Sequence, residues 1–276
     1  MNPVLNGMSV DGFDPGFAIR ATVDPLGFRY GPGVFGPACE LRRLDAIRPS
    51  LRDPQCDGPE IVYAIAMDVG TEDRRADLLA RNLLFGVVTY AAGRLGDEPV
   101  RSQGHIHAVS ASCGRSTAEL YEIWSGRAVI LMQERAEDDP GRCFAVTAGP
   151  GEVVVVPPGW AHATISADAS KPLTFGAWCV RDFGFDYRGV RAHGGLAWFP
   201  RWDGETLVWD GNPRYAVTGA GSGAGSRLVE KGPADYGQLG LRRGVPIWRQ
   251  YLDDPEAVMW VPRPERAEAA WAGFVP

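Results

Sequence analysis

Between residues 120 and 180 the chain runs through short apolar segments: LYEIW (120–124), AVILMQ (128–133), EVVVVP (152–157) and LTFGAWCV (173–180). Turn clusters lie among them: DDPGR (138–142), AGPG (148–151) and SADASKP (166–172). Runs this short, rich in β-branched and aromatic residues and bounded by Gly, Pro and Asp, read as strands. Several such strands in succession bury their apolar faces only by pairing into a second layer or closing on themselves, which means a sandwich or barrel. The 35 glycines and 22 prolines of the 276-residue chain fit the same reading, since they punctuate strands and break long helices.

Other segments extend the pattern. EIVYAIAMDV (60–69) and LLFGVVTYAA (83–92) read as strands, with a helix between them over 71–82, N-capped by Thr71. A short helix interrupted by Pro49 is predicted around Leu44 to Arg52. Residues 1–26 read as an N-terminal arm, 27–215 as the main domain and 216–226, containing TGAGSGAGS, as a Gly/Ser linker. Residues 227–276 read as a C-terminal extension, with the helix-like ERAEAAWAG near its end. Its tryptophans 248, 260 and 271 imply that it docks on the body.

Composition narrows the function. The net charge is −6 and no basic run is present, which argues against nucleic acid as a partner. No apolar run reaches the roughly 18 residues of a membrane span, and the N-terminus lacks a signal-peptide pattern. Five cysteines at irregular spacings, without CxxC, point to free thiols in the cytoplasm. Neither a phosphate-binding glycine loop nor GxSxG is present.

Chemistry concentrates on three of the four histidines. His105 and His107 stand in GHIH, and residues two apart on a strand share a face. His162 follows the EVVVVP strand, and Glu119 opens another. Three imidazoles and one carboxylate suit one divalent ion such as Fe(II), Mn(II), Zn(II) or Ni(II). His193, in a Gly-rich loop, reads as a surface residue.

Gly151, Pro157, Gly159 and His162 fit G-x5-P-x-G-x2-H, and GHIH with Glu119 and Gly126 fits H-x-H…E-x6-G. These resemble the two motifs of the cupin superfamily, which implies an all-β double-stranded β-helix, or jelly-roll barrel. ASCGRST would be a loop inserted near the site mouth, and Ser166 stands where the second motif usually has Asn. Over residues 27–215 the chain is similar to the cupin-type phosphoglucose isomerases: ELRRLDAI, EIVYAIAMDV, AELYEIWSGRAVILMQ, FGFDYRGV and GNPRY carry the likeness. The resemblance implies that His105, His107, Glu119 and His162 bind the metal. For the proton transfer of such an isomerisation Glu119 is the candidate base, with Tyr121 and Tyr187 as candidates to bond sugar oxygens or relay a proton. Tyr63, Ser102, Gly104 and Tyr187 would line the sugar-phosphate pocket, and the protein would be a homodimer.

The chain departs from that family at three positions. Phe185 replaces a histidine, Cys179 a tyrosine and Val88 a threonine, although Thr89 is adjacent. Phe185, Trp160 and Trp178 are expected to be buried. A metal-dependent isomerase of a sugar or sugar phosphate is therefore expected, with the departures pointing to an unphosphorylated or bulkier substrate. An Fe(II) dioxygenase and a non-catalytic sugar-binding cupin are the alternatives.

Overall fold

The computed structural model describes residues 12–216 and 227–276. The expected linker (apart from Ala216) and the first eleven residues of the arm lie outside them. Ten strands build two sheets: β1 (Glu40–Arg43), β2 (Ile61–Met67), β3 (Leu83–Tyr90), β4 (Glu119–Ser125), β5 (Ala128–Gln133), β6 (Cys143–Ala148), β7 (Val153–Val156), β8 (Ala161–Ser166), β9 (Leu173–Val180) and β10 (Leu228–Lys231). The larger sheet has the order β7-β4-β9-β3-β2-β1 and the smaller β8-β5-β6-β10. Only the β6–β10 pair is parallel. From β4 to β9 the chain passes repeatedly between the sheets, the winding of the expected jelly-roll barrel.

Strand parity sorts the apolar residues into three cores. Leu84, Val88, Tyr90, Tyr121, Ile123, Phe175 and Ala177 of the larger sheet meet Ile130, Met132, Phe144 and Val146 of the smaller one in the barrel interior. The alternate residues Leu83, Phe85, Val87, Leu120, Trp124 and Trp178 face outward into a second core. Its other wall is the C-terminal extension, which contributes Ile247, Trp248, Tyr251, Trp260 and Phe274. Val129, Leu131, Ala161 and Ala163 form a third core behind the smaller sheet with Val190, Leu196 and Tyr215. Because both faces are covered, every residue of β3, β4 and β9 is buried, and the apolar runs in the sequence are continuous.

The tail docks through specific bonds as well as area. Helix Ile247–Asp253 lays Trp248 on Trp178, with ring centroids 5.3 Å apart and planes 7° apart. The Trp178 indole N–H donates to the Ile247 carbonyl, and the Ile247 amide donates to the buried Glu122 carboxylate. The contact requires a flat outer surface on β9: a Cβ at Gly176 would stand 2.4 Å from the Trp124 ring.

Local expectations meet some corrections. The helix over 71–82 is shorter, a 3-10 turn at Glu72–Arg74 followed by an α-helix at Arg75–Ala80. Thr71 makes no side-chain cap. It belongs instead to a two-residue strand paired with Val34–Phe35. Around Pro49 an α-turn at Leu44–Ile47 passes into a 3-10 turn at Arg48–Ser50. The boundary at 26/27 falls inside the second strand of a hairpin, Ile19–Val23 with Leu26–Tyr30, and Phe17 and Ile19 are buried in the outer core. Among the described residues no helix is long and apolar enough to cross a membrane.

Candidate active site

The site forms at one end of the barrel interior, where the two sheets are joined by the GHIH segment. Glu119 opens β4 and His162 lies near the start of β8. His105 and His162 exchange backbone hydrogen bonds of 3.0 and 2.9 Å, which fixes GHIH against the smaller sheet. Ile106–His107 then pairs with Phe185–Asp186. Gly104 makes the approach possible. Its φ is +87°, and a Cβ there would meet the Leu196 side chain at 3.2 Å and the His162 carbonyl oxygen at 3.4 Å.

One donor atom from each of His105, His107, Glu119 and His162 lies within 4.8 Å of the others. The hydrogen-bond pattern shows what this cluster can hold. Nδ1 of His107 is 3.1 Å from the Thr117 carbonyl, and Nδ1 of His162 is 3.1 Å from the Trp160 carbonyl. A carbonyl only accepts, so both Nδ1 atoms carry the proton. The neutral tautomer then leaves a bare lone pair on each Nε2. Both Nε2 atoms lie 3.1 Å from the same oxygen, Glu119 Oε2. Two lone pairs aimed at a carboxylate repel it unless positive charge stands among them. Two neighbouring imidazolium ions in a buried site would be costly, whereas one divalent cation satisfies all three groups. His105 Nε2, buried and without a hydrogen-bond partner, supplies a further free lone pair or donor. The residues fit a divalent metal.

Positive charge among these groups, whether carried by protons or by an ion, sets the neighbouring pKa values. Burial, with the charges of His162 and His107, pushes the His105 pKa well below its ordinary value, so this imidazole is neutral. Burial pushes Glu119 up, but the contacts with His107 and His162 overcome it and hold the carboxyl well below its usual range. Burial first and the Glu119 charge second push Tyr121 and Cys179 well above their ordinary values. Both therefore stay protonated and donate to Glu119. The Tyr121 hydroxyl is 2.7 Å from Oε2 and the Cys179 thiol 3.3 Å from Oε1.

A cavity opens from this cluster along the inner face of the larger sheet. Tyr63, Ser102, Gly104, Tyr121 and Tyr187 line it, together with His105 and Glu119. The Ser102 hydroxyl oxygen accepts the Thr164 amide N–H. All three departures from the family also line it. Val88 faces the cavity, whereas Thr89 points to the other side of β3 and bonds Thr174 at 3.0 Å. Phe185 is half-buried rather than fully buried; its ring packs 4.4 Å from that of His105 and walls the cavity. Trp160 and Trp178 are buried and are not among the lining residues. The loop expected at the site mouth does not line the cavity; its contribution is the Thr117 carbonyl that orients His107. His193 lies apart, stacked on Tyr215 at 4.1 Å, with its Nε2 facing Asp138.

Arg42, Tyr90 and Gln103 also line the cavity, and the sequence reading passed over them. Tyr90 was within reach of it, because it lies two residues beyond Val88 on the same strand and so shares its face. Gln103 stands between two residues that were singled out, and Arg42 lies in the quoted ELRRLDAI segment.

Comparison with known proteins bears on the same residues. The oxalate decarboxylase of Bacillus subtilis superposes with a TM-score of 0.33 at 14% identity, over 57% of this chain and 30% of that one. Hazelnut vicilin superposes with a TM-score of 0.34 at 12% identity, over 47% of this chain and 33% of that one. In sequence, glucose-6-phosphate isomerase of Thermococcus kodakarensis is 32% identical over 154 residues, 56% of this chain and 71% of the relative. That of Pyrococcus horikoshii is 31% identical over 204 residues, 70% of this chain and 97% of the relative. The family model of glucose-6-phosphate isomerase (GPI) matches residues 51–215, a span that contains all four clustered donor residues and most of the cavity wall. The chain belongs to the glucose-6-phosphate isomerase (GPI) family.

Proposed function

We propose that this protein is a metal-dependent aldose–ketose isomerase acting on a sugar phosphate, interconverting glucose 6-phosphate and fructose 6-phosphate. The observation that carries the proposal is the convergence of His107 and His162 lone pairs on Glu119 at the end of a cavity lined by tyrosines.

His105, His107, Glu119 and His162 would hold one divalent ion, which when bound supplies Lewis-acid polarisation of neighbouring sugar oxygens. We take Fe(II) as the native ion, with Mn(II), Zn(II) and Ni(II) as competitors for the same donors. The reaction removes the proton from C2 of the open-chain aldose and returns a proton to C1, with a proton also passing from O2 to O1. Glu119, kept as a carboxylate, is the base that takes and returns the carbon-bound proton. Tyr121 and Cys179 steady it through hydrogen bonds to its two oxygens. Tyr187, near Phe185 at the cavity wall, is placed to bond a sugar hydroxyl. Ser102 and Gly104 shape the wall beside His105, and Tyr63 stands further out on β2. Phe175 and Phe185 exclude water from the enediol stage.

Free cysteines at 39, 56, 113, 143 and 179 support a reducing, cytoplasmic setting. For the homodimer we propose the open edge at β1, where Leu41 and the nearby Val23 are exposed.

The test is a coupled assay from fructose 6-phosphate to glucose 6-phosphate. The protein is stripped of metal and reloaded anaerobically with Fe(II) or Mn(II), beside His105→Ala. Turnover that requires both the metal and His105 is the expected result. Loaded protein that fails to isomerise, and consumes oxygen instead, would favour the dioxygenase reading, which the apolar wall of Val88, Cys179 and Phe185 suits.

A further inference from the structure

The loop between the GHIH segment and β4 reaches two of the imidazoles, not one. It is closed on itself: the Ser110 amide N–H donates to the Arg115 carbonyl at 3.0 Å, and the Gly114 amide to the Ser110 carbonyl at 2.8 Å. Its outer end is pinned to Asp182, whose carboxylate accepts from the Ser110 hydroxyl at 2.9 Å and the Ser112 amide at 3.0 Å. Its inner end, Ser116–Thr117, stands just before Glu119 in the chain. There the Thr117 carbonyl accepts from His107 Nδ1–H, and the Ser116 hydroxyl oxygen accepts the Gly159 amide N–H at 2.9 Å.

Gly159 lies in the turn Pro157–Trp160 that joins β7 to β8. The Trp160 carbonyl accepts from His162 Nδ1–H, so the pose of this turn sets where the Nε2 lone pair of His162 points. Little else fixes the turn. Pro157 and Pro158 have no amide N–H to give. The Trp160 amide bonds only within the turn, to the Pro157 carbonyl at a long 3.3 Å. Gly159 has a φ of +81°, and the place of a Cβ on it is open space. The Trp160 ring stacks on Phe144, which holds the side chain, while the direction of the carbonyl follows the peptide planes of the turn. Among the described residues, the bond to Ser116 is the one hydrogen bond that ties this backbone to a segment other than the two strands it joins.

We propose that Ser116 is a positioning residue of the metal centre. By holding the Gly159 amide it fixes the Trp160 carbonyl, and through that carbonyl the ring of His162. The adjacent Thr117 carbonyl fixes His107 in the same way. One two-residue step thereby sets two imidazoles relative to Glu119. The inference rests on the metal centre of the isomerase reading and not on its reaction.

Titration of the metal-free, full-length protein with Co(II), against a competing chromophoric chelator, reads the affinity. The visible absorption bands of the bound Co(II) read the ligand geometry. Ser116→Ala should weaken binding by about 10-fold, the scale of losing an outer partner, and shift the bands. Its metal-free melting temperature should stay within about 4 °C of wild type, because a single bond is lost. Ser116→Thr, which keeps the hydroxyl, should return both readouts towards wild type. Arg115→Gln serves as the control, since that guanidinium bonds Glu268 of the C-terminal extension at 2.6 Å. It should leave affinity and bands unchanged. Wild-type affinity or unshifted bands in Ser116→Ala overturn the proposal. So does a Ser116→Thr as weak as Ser116→Ala, an Arg115→Gln as weak as either, or a Ser116→Ala that no longer folds, which would make the role structural. Wild type that binds Co(II) yet isomerises no sugar phosphate with any metal refutes the isomerase reading alone, whereas wild type that takes up no Co(II) refutes both.

Discussion

Glu122 lets the docking of the C-terminal extension be measured. It is 1% exposed and lies on the outer face of β4. One carboxyl oxygen accepts the Ile247 amide N–H at 2.9 Å and the other the Trp124 indole N–H at 3.0 Å. Burial outweighs these two bonds and raises the pKa from its ordinary 4.5 to about 7. A carboxyl whose folded pKa is raised favours the folded state less as pH rises. Between the unfolded and folded pKa values the folded protein binds the extra proton, so stability falls across that window and levels off above it. From pH 5 to pH 8 the loss is about 2 to 3 kcal/mol. Glu122→Gln abolishes the titration but turns an amide N–H₂ towards one of the two donors, costing about 1 to 3 kcal/mol at every pH. The variant should therefore be less stable than wild type at pH 5 and equal or more stable at pH 8. Urea unfolding followed by tryptophan fluorescence, with metal removed from both proteins, gives the difference directly, because every other residue is common to both. A wild-type minus variant difference that stays constant from pH 5 to pH 8 would refute the reasoning.

Three further outcomes are expected. His162→Ala should weaken metal binding by more than the roughly 10- to 100-fold typical of losing an outer partner, read by metal analysis after dialysis against a competing chelator. Glu119→Gln should lower kcat by about 100- to 10,000-fold in protein that still carries metal, and undiminished turnover would remove Glu119 as the base. Trp248→Ala, which empties the stack on Trp178, should cost about 3 to 5 kcal/mol by denaturant unfolding.

That His105, His107 and His162 come together was legible in the sequence because much of their placement is local. Strand parity sets His105 beside His107, and the turn at Pro157 and Gly159 precedes His162 directly. The barrel was legible for a similar reason: short apolar runs between turns admit few other solutions. The outer core was not. Glu122 and Ile247 are 125 residues apart, and no periodicity marks that β4 has a second buried face. Parity also separates Val88 from the adjacent Thr89, since Val88 shares its face with Leu84 and Tyr90. Arg42 escaped notice for a physical reason. An arginine on an edge strand reads as solvent-facing until the partner strand shows that it stands opposite Tyr63.

The order in which the outer core is made has a consequence during synthesis. Phe85, Trp124 and Trp178 are all in the chain once β9 ends at Val180, as is Phe17 beside the first two, but the C-terminal wall of their core begins only at Tyr236 and Ile247. At about 5 to 20 residues per second the ribosome needs roughly 3 to 13 s to bridge the stretch from Val180 to Ile247. For that time a nascent chain with a finished barrel carries the Phe85, Trp124 and Trp178 rings with only the N-terminal part of their cover. Nascent chains halted before Ile247 should therefore recruit holding chaperones, and chains released past Phe274 should not.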